Sequence, residues 1–260
     1  MIFAVDAGNT HVSIGCLEGK SVKGVARIET NIRKTEYEYA AVMDSIVGRF
    51  LKEGGSIDGA ILASVVPSLT QVLCSSIELS TGLKPIKVGS GIKTGLNIGI
   101  DDPGRLGADL VCAAVGALDM REPPIIIIDL GTATTITVID KNSRFSGGAI
   151  LPGVDISAES LASETSQLPR VSITVPRHCI SANTVECIQS GLVFGHAAAI
   201  DGLIDRMHEE LGYKAELLAT GGLSSVIIPK CKHKIEIDRN LLLKGLAIIW
   251  EKNKDRAKRA

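Results

Sequence analysis

The chain has 260 residues, a formal net charge of −1, and 45% apolar but only 3% aromatic residues. No basic excess argues for a nucleic-acid partner, and no acidic excess argues for disorder. The length suits one large domain or two lobes of about 130 residues each, with a core of Ile, Leu, Val and Ala.

Six cysteines (Cys16, Cys74, Cys112, Cys179, Cys187, Cys231) are scattered, with no C-x-x-C pair and no Cys/His ligand spacing. In a chain of this size that pattern predicts reduced, mostly buried thiols. The start, MIFAVDAG, lacks a basic segment and meets Asp6 at once, so it reads as a strand rather than a signal peptide. No uncharged apolar run approaches the roughly 20 residues that span a bilayer. Together these predict a soluble cytoplasmic protein without a membrane partner.

Residues 2–30 read as a three-strand meander. Residues 35–53 carry helical periodicity, with Tyr39, Val42, Met43, Ile46, Val47 and Phe50 on one stripe. GAILASVVP is a buried strand closed by Pro67, residues 69–82 are a second helix ending at Gly82, and PIKVG is a strand. Residues 94–107 read as a loop from their Gly, Asp and Pro content, and ADLVCAAVGALDM as an Ala-rich helix.

After Pro123 and Pro124 the pattern restarts. IIIID, TTITVID and FSGGAI predict another three-strand meander, and residues 155–167 and 183–211 predict helices. ELLATGG is a buried strand and LLLKGLAIIWEKN the closing helix, followed by a solvated, fraying end. The expected architecture is α/β: a duplication giving lobes 1–118 and 119–260, each opening with a β-meander.

Each meander carries an aspartate at its first turn. In FAVDAGNTHVSIG and IIIIDLGTATTITVID, Asp6 aligns with Asp129, Gly8 with Gly131 and Asn9 with Thr132. Glycine permits a turn with positive φ and a close backbone approach to a ligand. Oriented N–H groups in such a turn hold phosphate. A buried acid needs compensation, which Mg²⁺ with phosphate supplies. Asp-x-Gly is also an ordinary hairpin turn; the second copy favours the phosphate reading.

The paired D-x-G hairpins and ELLATGGLSS resemble the superfamily of actin, heat-shock ATPases, sugar kinases and acetate kinase. Within it, the chain resembles the type III pantothenate kinases. The segments are DAGNTHVSIG (6–15), KTGLNIGIDDPGRLGADL (93–110), IIDLGTATTITVID (127–140), GGAILPGVDISAESLASETSQLPRV (147–171) and NTVECIQSGLVFG (183–195).

That resemblance implies two ribonuclease-H-like lobes with mixed sheets and ATP in the cleft between them. It implies that Asp6, Ala7, Gly8, Asn9, Thr10, Gly131 and Thr132 bind ATP, with Asp6 near its Mg²⁺. Asp129 matches the site of a required monovalent cation, K⁺ or NH₄⁺. Asp109 matches the catalytic base, and Ile100, Gly107, Ala108, Asp109, Leu110 and Thr184 fall at pantothenate-binding positions. Thr184 matches a threonine reaching the partner subunit's site, which implies a homodimer with shared active sites.

Local readings stand beside these. Asp109 in a first helical turn also favours the helix dipole, by about 0.3–1 kcal/mol, and Thr184 beside Asn183 suits a helix N-terminus. His11 and His196 read as packed or surface residues rather than ligands.

Two positions depart from the family pattern. Leu110 stands where the family motif G-x-D-R has arginine, and Ile100 where a tyrosine precedes the proline of the loop. Leucine cannot supply a bidentate carboxylate contact. Arg105, in the same loop, is a candidate substitute. The departures leave two alternatives open: a kinase for a less polar alcohol, and a nucleotide-binding regulator with weak catalysis.

Overall fold

The computed structural model describes residues 1–51 and 56–257. In chain order its elements are β1 (Ile2–Ala7), β2 (His11–Glu18), β3 (Ser21–Glu29), α1 (Glu36–Leu51), β4 (Gly59–Ser64), α2 (Pro67–Thr81), β5 (Ile86–Lys87), β6 (Asn97–Ile98) and α3 (Ala108–Met120). There follow β7 (Ile125–Leu130), β8 (Ala133–Ile139), β9 (Arg144–Pro152), α4 (Val154–Ser163), α5 (Thr184–Leu211), β10 (Glu216–Thr220), α6 (Ser224–Ile227), β11 (Glu236–Ile237) and α7 (Leu241–Ala257). The predicted ends of the first helix at 52–53 and of the tail at 258–260 lie outside the described residues.

Two compact units emerge. The first comprises Met1–Leu96, Asp101–Met120 and Asn240–Ala260; the second comprises Asn97–Ile100 and Arg121–Arg239. The chain changes unit between Met120 and Arg121. The C-terminal segment does not stay with the second half, however. From Asn240 onward it returns to the first unit, because the apolar face of α7 packs on α3 and on the sheet there.

The first unit holds a sheet of order β3-β2-β1-β4-β5. Its core follows from period-2 alternation along β1. Phe3, Val5 and Ala7 join Tyr39, Met43, Leu69 and Leu73 of α1 and α2. Ile2 and Ala4 join Val111 and Cys112 of α3 and Leu243, Leu246 and Trp250 of α7. The apolar stripe read from residues 39–50 therefore faces the sheet as predicted. Thr35 and Glu38 cap α1 reciprocally: the Thr35 amide donates to Glu38 Oε2 at 2.8 Å, and the Glu38 amide to Thr35 Oγ1 at 3.4 Å.

The second unit repeats the plan with order β11-β10-β7-β8-β9-β6. The meander β7-β8-β9 corresponds to β1-β2-β3, and the parallel strands β10 and β11 correspond to β4 and β5. β6 is an addition, parallel to β9 on the outer edge, within a segment read from sequence as loop. Ile126, Ile128 and Leu130 face α5, whose Ile188, Leu192, Val193 and Ile204 are buried against them. By length and composition alone α5 could cross a membrane, but half of its apolar window is buried in this core.

Cysteine burial departs from expectation at two positions: Cys179 and Cys187 are exposed, while all six thiols are free.

The crossing of α3 and α7 depends on missing side chains. A Cβ on Gly116 would sit 2.5 Å from the Leu241 carbonyl oxygen, and one on Gly245 would overlap the Cys112 carbonyl. Gly245→Ala or Gly116→Ala should lower stability by about 1–3 kcal/mol, the usual cost of overpacking, seen as an earlier urea midpoint. Gly48→Ala in α1, where a Cβ meets nothing within 4 Å, should raise stability by about 0.5–1 kcal/mol.

Candidate active site

Both candidate phosphate turns close strands paired in the same way. In β1, Asp6 lies between Ser13 of β2 and Ala63 of β4; in β7, Asp129 lies between Thr135 of β8 and Thr220 of β10. Each acid is half-buried at the end of a buried strand. The turns differ in length. Residues 8–10 connect β1 to β2, with the Gly8 amide donating to the His11 carbonyl at 3.0 Å. Only residues 131–132 connect β7 to β8, with the Gly131 amide donating to the Ala133 carbonyl at 3.2 Å.

Neither Gly8 nor Gly131 adopts positive φ, which corrects the expected role of these glycines. At Gly8 the absent Cβ matters, whereas a Cβ on Gly131 would make only ordinary contacts. A side chain at Gly8 would come within 3.3 Å of the His11 carbonyl oxygen. The left-handed residue nearby is Gly221, at φ +93°, whose missing Cβ lets the ATGG turn rest on the backbone of Leu130.

In the first unit the turn is held from β3. Thr30 donates through its hydroxyl to the Gly8 carbonyl at 2.7 Å and through its amide to the Thr10 carbonyl at 2.9 Å. Asn9, Thr10 and His11 are exposed, whereas Ala7 turns its methyl into the core and presents only backbone.

Asp6 continues the Ile2–Ala4 face of β1, the face that α3 covers. Asp109 opens α3. Both charges act on Cys112, one turn further along the helix: burial first, then Asp6 and Asp109, drive its thiol well above the ordinary range. The structure thus gathers Asp6 and Asp109 at one end of α3.

Asp109 folds back over Gly107, where any Cβ would collide with its Oδ1; the side chain of Val65, after β4, forms the far wall. Its Oδ1 accepts from the Leu110 amide at 2.8 Å. Burial raises the Asp109 pKa, and backbone amides of Leu110 and Asp109 itself pull it partly back. A carboxyl poised upward beside a helix start suits proton acceptance. Ala108 and Leu110 flank it, half-buried. Arg105 is exposed and ion-paired to Asp102 at 3.1 Å.

In the second unit, α4 begins against the short turn: a Cβ on Gly153 would overlap the carbonyls of Thr132 and Gly131. Beside α4 opens a cavity of about 700 Å³, lined by Asp155, Ile156 and Glu159 of α4, by Arg170 and Ile173, and by Leu223 after the ATGG turn. His196 bonds the carbonyls of Leu192 and, at 3.4 Å, Pro152, so it is a packed residue. Thr184 is the exposed first residue of α5, with Asn183 as N-cap accepting from the Glu186 amide at 3.0 Å. Ile100 rests near Gly147 of β9. Among the described residues, no group of three or more His, Cys, Asp or Glu side chains could hold a metal ion.

The sequence pattern does not single out Thr30, Gly153 or Gly221 as supports of the turns. The two glycines stand in conspicuous GG and PG pairs, which was a usable signal. Thr30 had none.

A family model described as type III pantothenate kinase matches residues 2–206. The type III pantothenate kinase of Moorella thermoacetica is 38% identical over 256 residues, covering 97% of this chain and all of that one. That of a Geobacillus species is 40% identical, covering 98% and 99% of the two chains. The chain belongs to the type III pantothenate kinase family.

Solved structures extend the fold. Component A of (R)-2-hydroxyglutaryl-CoA dehydratase from Acidaminococcus fermentans aligns with a TM-score of 0.58 at 12% identity, over 99% of this chain and 100% of that one. The activator of 2-hydroxyisocaproyl-CoA dehydratase from Clostridium difficile, solved with bound ADPNP, aligns with 0.52 at 15%, over 100% and 97%. For this family member the duplicated two-lobe fold is thus shared well beyond close relatives.

The raised pKa of Asp109 has a stability consequence. A carboxyl whose folded pKa lies above its unfolded value destabilises the fold once pH exceeds the folded pKa. Asp109→Asn should therefore be at least as stable as the wild type at pH 8, and the difference should shrink as pH falls through the Asp109 pKa. Thermal melts across pH check this; a variant less stable at pH 8 than at pH 5, relative to wild type, would contradict it.

Proposed function

We infer that this chain transfers the γ-phosphoryl group of ATP to the primary hydroxyl of pantothenate, yielding 4′-phosphopantothenate and ADP on the route to coenzyme A. Family membership supports the reaction. The observation that carries the chemistry is the desolvated Asp109 at the start of α3, whose charge reaches Cys112 together with that of Asp6.

In this reading Asp109 accepts the hydroxyl proton of pantothenate while that oxygen bonds the γ-phosphorus and the bond to the ADP oxygen breaks. The turn of Gly8, Asn9 and Thr10 and the turn of Gly131 and Thr132 each offer backbone and side-chain donors of the kind that hold phosphate oxygens. The cavity beside α4 suits the nucleoside end of ATP, since α4 and Leu223 adjoin the Thr132 turn.

Asp6 and Asp129 offer hard oxygen donors, which fits Mg²⁺ arriving with ATP and a monovalent cation, K⁺ or NH₄⁺, at Asp129. Such ions neutralise charge on the phosphate oxygens. Thr184 would serve the pantothenate site of a partner subunit in a homodimer. Ile180 and Val185 beside it are 93% and 43% exposed, apolar surface suited to such contact.

A second reading is favoured by the acceptor side. Ile100 and Leu110 are apolar and half-buried, and Arg105 is occupied by Asp102. An alcohol without a carboxylate, such as a pantetheine-like acceptor, would suit apolar residues at these two acceptor positions.

ADP release with ATP, Mg²⁺ and K⁺ should be stimulated by pantothenate. Asp109→Asn should lower kcat by roughly 100-fold or more, the usual contribution of a general base, with little change in the KM for ATP. Stimulation only by a pantetheine-like alcohol would select the second reading, and none by either would remove both. Replacing K⁺ and NH₄⁺ by Na⁺ should depress turnover. Asp129→Asn should raise the half-saturating K⁺ concentration by about tenfold or more, the loss of one charge-assisted contact; an unchanged K⁺ response would take Asp129 out of that role.

A further inference from the structure

The segment leading to Asp109 begins with β6, only two residues long, on the edge of the second sheet. Two residues of strand pairing hold little, yet the chain here is fixed on every side. Asn97 pairs with Arg144 and Ile98 with Phe145 of β9. The Gly99 amide then donates to the Phe145 carbonyl at 2.8 Å. The Gly99 carbonyl accepts from Arg144 Nη2 at 2.9 Å. Both backbone polar groups of Gly99 are thus engaged, one by a neighbouring strand and one by a single side chain.

Arg144 lies flat on Gly99: its Nε, Cδ and Cζ occupy the space where a Cβ would stand. Arg144 is itself held by the hairpin before β9. Its amide donates to Asp140 Oδ1 at 2.9 Å, its carbonyl accepts from the Asp140 amide at 2.9 Å, and Ser143 takes φ 59° between them. Immediately after Gly99, Ile100 sits over Gly147, which takes φ +116° beside the register shift between β8 and β9.

We propose that Arg144 is a positioning residue for acceptor specificity: through the Gly99 carbonyl it fixes the Ile100 end of the loop that runs to Gly107 and Asp109. The proposal rests on the reading of Ile100 and Asp109 as acceptor-side residues. The guanidinium supplies two things that no other residue at 144 supplies together, a donor aimed at Gly99 and a flat surface beneath its Cα. Lysine keeps a donor and loses the flat contact; alanine loses both.

The test uses the full chain and two independent readouts. Hydrogen exchange of the backbone amides over residues 99–106 should quicken at least tenfold in Arg144→Ala, while the amides of β1 and β4 stay as in wild type. Exchange over 99–106 at the wild-type rate would overturn the positioning role whatever the enzyme does. In steady-state assays Arg144→Ala should raise the KM for pantothenate about tenfold and leave the KM for ATP within twofold, with Arg144→Lys recovering most of the loss. Equal rises in both KM values, or a fall in kcat alone, would overturn the specificity role and leave only a structural one. Wild-type enzyme that turns over no pantothenate would overturn the functional reading instead, and the exchange result would still judge the placement of the loop.

Discussion

A carboxyl group set at the end of a buried strand is the constraint on which this structure turns. Moving such a group away from water is costly unless hydrogen bonds or opposite charge replace the lost solvation. The chain does this twice, at Asp6 and Asp129, in strands otherwise made of buried aliphatic residues. It adds a third acid, Asp109, where burial outweighs the local amides and the pKa rises. A fold optimised only for stability has little use for these positions. A phosphotransferase does, because the ions that travel with ATP are held by hard carboxylate oxygens and neutralise charge on the phosphates.

The rest of the first unit serves the placement of Asp109. The helix it opens is pressed against α7 by two glycines, so backbone meets backbone where other helices keep a layer of side chains. That close crossing explains why the C-terminal segment leaves its own half of the sequence and returns to the first unit. The acid is consequently carried by a closely packed helix, and Gly107 leaves room for its carboxylate to fold back over the turn before the helix. Cys112, fully buried one turn below, stays a neutral thiol under the combined influence of burial and the two acids.

Much of this was legible in the sequence. The two meanders announce themselves by β-branched alternation around D-x-G, and the repeated strand order confirms the duplication. The stripe from Tyr39 to Phe50, the Ala-rich helix after Gly107 and the N-cap at Asn183 all stand where periodicity and capping chemistry put them. What escaped were features without a local signature. β6 and β11 are two residues each, too short for any period, and exist only because a distant strand offers its edge. The return of α7 depends on Gly116 and Gly245 meeting backbone 125 or more residues away, which no window of sequence contains. Neither glycine of the phosphate turns uses the positive φ read for it, and only Gly8 faces a carbonyl closely enough to disfavour a Cβ, a distinction that depends on backbone not visible in the sequence.

The most direct test of the account is the pH dependence of kcat/KM for pantothenate, with Trp250 fluorescence followed in parallel to ensure that the protein stays folded. A base that burial has shifted upward predicts an acid limb whose midpoint lies above the roughly 3.9 of an ordinary aspartate, with activity rising as Asp109 ionises. An acid limb at or below that value, in folded protein, would mean that the carboxyl accepting the proton is not the desolvated one at the start of α3, and the central assignment would fall.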